Sequence, residues 1–210
     1  TRCAALLAAL PPTLLLLAEQ KGLTIPLWSG DPKFQTIVLL ACLALTAVFS
    51  RHVFAKAVRM LFRGRCVCEA AISLSALVSA ADCGFRLFSP ERSPAAPYAA
   101  VACLSLAVAQ WGVSCESQGT YDMYRAAAVD SNPPYLVANP GRGACKQRGS
   151  IPGFYTTASR DDAATIWQAV LLPGFLVATF VFAGLSSFGQ ERKADFLLNW
   201  SAILAAAATF

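Results

Sequence analysis

Six apolar runs separated by short polar and charged stretches set the pattern of the chain. They cover Cys3 to Ala18, Phe34 to Ser50, Cys66 to Phe88, Ala95 to Cys115, Ile166 to Phe188, and a stretch that starts near Phe196 and is still apolar at Phe210. A helix needs about 20 mostly apolar residues to cross roughly 30 Å of hydrocarbon. The runs therefore predict an all-α membrane protein, a polytopic bundle of about six transmembrane helices. Spans one to four occupy residues 1–115, a small cytoplasmic insert 116–165, and spans five and six 166–210. The first run is short, with Pro11 and Pro12 in its middle. A signal peptide is the competing reading there, but Leu14 to Leu17 followed by Glu19 and Gln20 lacks the small-residue cleavage pattern. The chain begins at Thr1 without a methionine and stops inside the sixth run, which predicts that it is part of a longer one.

Composition agrees with this class. Of 210 residues 56% are hydrophobic and 14% charged, against about 25% charged in an ordinary soluble domain. The charges also sort by sign and place. Eleven of the seventeen Lys and Arg residues fall at Arg2, in the connection from Arg51 to Arg65, and in the long connection after the fourth span. Basic residues near span ends mark the cytoplasmic side. The expectation is thus an integral protein of the plasma membrane with a cytoplasmic N-terminus. The formal net charge of +5 implies no nucleic-acid partner, because anionic lipid beside cytoplasmic loops already accounts for an excess of Lys and Arg.

Residues 51–65 form more than a loop. At about 100° per residue, His52, Lys56, Arg59 and Arg63 fall on one stripe and Val53, Phe54, Ala57, Val58 and Leu61 on the other side. This predicts an amphipathic helix lying in the interface, either as a docking platform for a cytoplasmic partner or as an anchor of the bundle. His52, the sole histidine, belongs to the polar stripe.

The third run carries the chemistry of most interest. Ser75, Ser79, Asp82 and Arg86 recur at helical spacing, so they share a face, and Asp82 can pair with Arg86 one turn on. Ionisable residues within a span are functional candidates by default, which makes Ser75, Ser79 and Asp82 a candidate transport pathway. Ala76, Ala80 and Gly84 form a neighbouring stripe of small residues that lets another helix come close. Of eight cysteines, six are scattered singly and no Cys-x-x-Cys pair occurs, so neither a zinc ribbon nor a redox motif is supported. Cys66 and Cys68, at the mouth of the third span, are the candidate contacts for a soft cation. Residues two apart point to nearly opposite faces of a helix, so such a site requires unwound backbone there.

The order of elements resembles the membrane region of the heavy-metal P-type ATPases. Met60-Leu61-Phe62-Arg63-Gly64-Arg65 followed by Glu69 is similar to the family's junction between its extra N-terminal helix pair and the next span. Gly112-Val113-Ser114-Cys115-Glu116 is similar to the glycine and glutamate that precede the actuator domain, and Leu172-Pro173-Gly174 to the early proline of the span after it. The resemblance implies a cation-translocating membrane domain, with a soft or transition metal ion as substrate and no cofactor in this part of the chain. Its partner is then the downstream portion of the same chain or a separate cytoplasmic protein.

The departures define an alternative. The insert from Glu116 to Thr165 has only 50 residues and no Thr-Gly-Glu, the family's dephosphorylation motif, occurs. No phosphorylation or nucleotide-binding motif is present either, and Ala208, Thr209 and Phe210 stand about where the family has Cys-Pro-Cys. A non-pumping protein derived from the same scaffold, with a regulatory or assembly role, is the second expectation. Asn132-Pro133-Pro134, Asn139-Pro140-Gly141 and Ile151-Pro152-Gly153 punctuate the insert with turns, and a short β-rich segment is expected around Tyr135 to Thr157. Asp161 and Asp162 are expected to cap the start of the fifth span.

Overall fold

The structure is a computed structural model, and it describes residues 2–22, 28, 31–89, 95–127, 135–138, 145–148, 163–189 and 192–207. Expectations for the proline turns of the insert, for Asp161 and Asp162, and for Ala208 to Phe210 fall outside these residues. Within them the chain forms helices α1 (Arg2–Gln20), α2 (Pro32–Phe49), α3 (Arg51–Phe62), α4 (Cys68–Phe88), α5 (Ala99–Ala127), α6 (Ala163–Gly189) and α7 (Phe196–Ala207). A 3-10 turn, Lys193–Asp195, leads into α7. Strands β1 (Tyr135–Ala138) and β2 (Cys145–Arg148) pair antiparallel, Tyr135 opposite Arg148.

Among the described residues four helices have the length and apolarity to cross a membrane: Pro32–Phe49, Cys68–Phe88, Ala99–Arg125 and Ile166–Gly189. This is fewer than the six runs suggest. The apolar part of α1, Cys3–Glu19, is shorter than a span, and the described part of α7 has 12 residues. Cys3–Glu19 is thus only marginally shorter than α2, and α7 is described only in part, so neither is counted among the four.

The chain divides into two units, residues 1–113 with 167–210, and residues 114–166. Within the first, α1 packs on α2, and α4 packs on α2, α3 and α7, so α4 joins three other helices. Local sequence sets each boundary. Asp31 caps α2, its carboxylate accepting from the Lys33 amide at 2.9 Å, and Pro32 takes the first helical position, where no donor is lost. α3 ends at Gly64, whose φ of +71° closes a Schellman turn. The Gly64 amide donates to the Leu61 carbonyl and the Arg65 amide to that of Met60. Only glycine takes this left-handed conformation without steric cost, so the Arg63-Gly64-Arg65 sequence stops α3 and turns the chain toward α4.

Burial gives α4 two distinct sides. Ser75, Ser79 and Asp82 are fully buried, together with Ala76 and Cys83, whereas Leu77 is 61% exposed and Ala81 and Phe85 continue its stripe at four-residue steps. The polar face is therefore turned into the bundle, as the spacing predicts. α2 repeats the device with Gln35, Thr36, Leu39, Leu43 and Thr46 inward. From α5 come Ala99, Ala102, Cys103 and Ala107, small side chains that permit close approach, together with the fully buried Leu106. α6 is mostly exposed and is joined to α7 by a cluster of rings. Phe180 lies edge-on to Phe196 and Trp200, at 5.3 and 5.0 Å, and Asn199 donates to the Ser187 hydroxyl at 2.9 Å.

This packing predicts an asymmetry between neighbouring residues of α4. Ala76→Leu inserts three carbons into a filled contact and should cost about 1–3 kcal/mol, whereas Leu77→Ala, on the exposed side, should stay within about 0.5 kcal/mol. Thermal unfolding of the two variants in detergent measures the difference. A neutral Ala76→Leu beside a severe Leu77→Ala would mean that the helix faces are reversed.

Candidate functional site

The candidate pathway residues fall together on the inner face of α4, and their bonding differs along it. Toward the middle, the hydroxyls of Ser75 and Ser79 are buried without a hydrogen-bond partner, as are the Ser73 hydroxyl and the side-chain oxygen of Gln110 on α5. Leaving such groups unpaired costs about 1–3 kcal/mol each, so a set of them inside one bundle is a place where a water or a small polar ligand would be favoured. Asp82, fully buried, follows one turn after Ser79.

At the end of α4, Arg86 reaches across to α2. One of its guanidinium nitrogens donates to Gln35 Oε1 at 3.2 Å and to Thr36 Oγ1 at 3.1 Å. Gln35 Nε2 in turn donates to Glu19 Oε2 at 2.9 Å, and the Trp28 indole to the same oxygen at 3.0 Å. A chain of polar contacts thus ties the ends of α1 and α4 to the start of α2. Sequence reasoning identifies Arg86 but misses Glu19, Trp28, Gln35 and Thr36. The available signal is the adjacent Gln35 and Thr36 one turn inside an otherwise apolar helix, where polar side chains need partners. Asp195, another buried carboxylate, stands just before α7 and is likewise missed.

At the opposite end of α4, Lys56 of α3 makes an ion pair with Glu69 at 2.8 Å. Cys66 precedes α4 and is half-buried, while Cys68 is its first, exposed residue. Burial pushes the Cys66 thiol above its ordinary pKa, with the neighbouring Cys68 adding to the effect, so a metal there must displace a proton that the site itself retains. The nearest carboxylate, Glu69, is engaged by Lys56. Among the described residues no three of His, Cys, Asp and Glu gather as a metal cluster. Deeper in the bundle, Cys103 of α5 is fully buried.

No protein family, characterised protein or solved structure matches the chain.

The Arg86 cluster makes a direct prediction. Arg86→Ala removes a charged donor from Gln35 and Thr36, both buried, and should lower stability by about 2 kcal/mol. Arg86→Lys, which keeps the charge but not the planar fork, should recover part of that loss. Detergent unfolding curves that coincide for all three proteins would show that the cluster does not hold the helices together.

Proposed function

We propose that the chain is a polytopic membrane domain built on the plan of the heavy-metal P-type ATPases, and that the inner face of α4 is its cation path. The observation that carries this reading is the burial of Ser75, Ser79 and Asp82 on one face, with both hydroxyls unpartnered. Hydroxyl and carboxylate oxygens are what a cation stripped of water requires inside hydrocarbon. The order of elements supports the same plan: two helices, an amphipathic α3 ended by Gly64, the pair α4 and α5, an extramembrane unit with a β-hairpin, then α6 and α7. On this plan α1 and α7 are the remaining two of six spans, α3 faces the cytoplasm, and the insert lies on that same side.

A second reading has its own support. Arg86 occupies the polar face one turn beyond Asp82 and is bonded into α2, so a fixed positive charge stands at that end of the lane. Together with the missing Thr-Gly-Glu sequence, this favours a non-pumping scaffold that regulates or assembles another protein.

Transport decides between the two. Proteoliposomes carrying the complete gene product, supplied with ATP and either Cu(I) or Zn(II), should accumulate metal. Asp82→Asn should reduce the rate about ten-fold, as expected for losing one charged interaction of about 1.4 kcal/mol. Accumulation no greater than in protein-free vesicles, or unaffected by Asp82→Asn, would remove the cation path and leave the scaffold reading.

A further inference from the structure

α3 presents three sides, and the bundle uses only one of them. Val53 and Ala57 are buried, the helix packs on α4, and Lys56 is held by Glu69 at 2.8 Å. A second side carries Val58 and Phe62, 52% and 89% exposed. These two are four residues apart and so lie nearly in line along the helix. The third side carries Arg59 and Arg63, both exposed. They follow Val58 and Phe62 directly in sequence, and at about 100° per residue they form a basic edge beside the apolar one.

We infer that this double edge of α3 binds an anionic phospholipid of the surrounding bilayer, acyl chains on Val58 and Phe62 and phosphate on Arg59 and Arg63. Three observations favour a lipid over a soluble partner. First, α2 and α4 are both long and apolar enough to span. They flank α3 at one and five residues' distance, which holds it at the mouth of two spans, at the bilayer surface. Second, residues 51–65 contain five basic side chains and no acidic one, and the nearest acid, Glu69, is paired with Lys56. Among the described residues no ion pair engages Arg59 or Arg63, so their charge is open to a ligand of opposite sign.

Third, the exposed apolar pair sits next to the arginines rather than apart from them. A soluble phosphate would use the arginines and leave Phe62 in water, whereas a phospholipid satisfies both edges at once. The guanidinium fork suits the paired oxygens of a phosphodiester, and a basic side chain near a membrane surface attracts anionic lipid. The inference does not depend on cation passage through α4.

Native mass spectrometry tests it. The purified protein, offered equal phosphatidylglycerol and phosphatidylcholine, should retain the former preferentially, and the preference should shrink as salt is raised. The Arg59→Gln, Arg63→Gln double variant should lose about five-fold in preference for each arginine removed. Phe62→Ser should weaken retention of both lipids. Thermal midpoints in phosphatidylcholine nanodiscs, equal for variant and parent, establish that the fold is intact; if the double variant does not fold, the salt dependence of the parent protein alone decides. Equal retention of the two lipids by the parent, a salt-independent preference, or an unchanged preference in a folded double variant would overturn the proposal. Displacement of phosphatidylglycerol by equimolar inorganic tripolyphosphate would also overturn it, since the ligand would then be a soluble anion.

Discussion

Hydrocarbon offers no partner to a polar side chain, and among the described residues α4 buries more of them than any other helix. α4 holds Ser73, Ser75, Ser79, Asp82 and Arg86 in a span of ordinary length. A lipid-facing carboxylate and guanidinium would each cost several kcal/mol, so α4 has to be enclosed on its polar side. α2 and α7 pack on it, and α3 closes over its start. Leu77, Ala81 and Phe85 are what remains for the outside. The small residues of α5 and the alanines beside the serine stripe follow from the same demand, because enclosure requires helices to come close.

Both ends of α4 are tied, and by different means. Arg86 is held by neutral acceptors on α2 that are themselves linked to Glu19, while Glu69 pairs directly with Lys56 of the amphipathic helix. Charge-assisted bonds of this kind are directional, but desolvation offsets much of their net contribution. Their consequence is register: α4 cannot slide along α2 without breaking the first, or away from α3 without breaking the second. Between the tied ends lie hydroxyls with no partner. The helix is thus fixed at both ends and unsatisfied in its middle.

Much of this was legible in the sequence because membrane helices report themselves through composition and period. The runs around α2, α4, α5 and α6 needed only length and hydropathy. The inward face of α4 needed only the spacing of Ser75, Ser79 and Asp82. α3 was legible from the separation of Arg59 and Arg63 from Val53 and Ala57, although sequence alone grouped Val58 and Leu61 with the buried side, and the structure leaves both exposed. A period shows which residues share a face; it does not show how much of that face a neighbour covers. The partners of Arg86 were hidden for a related reason, since Gln35 and Thr36 are 51 and 50 residues away in sequence, and Glu19, which Gln35 bonds in turn, is 16 residues from Gln35; all meet only through packing. The metal role expected of Cys66 and Cys68 gains no further ligand among the described residues, as Glu69 is turned to Lys56.

α4 faces the bundle interior with its polar stripe and lipid with its apolar one. Site-directed spin labelling tests it most directly, with single cysteines placed in turn at positions 75, 77, 79, 81, 82 and 85 of a cysteine-free background in lipid bilayers. Labels at 77, 81 and 85 should collide readily with oxygen, which concentrates in hydrocarbon, and those at 75, 79 and 82 should be shielded and immobilised. High oxygen accessibility at 75, 79 and 82 with shielding at 77, 81 and 85 would contradict the account.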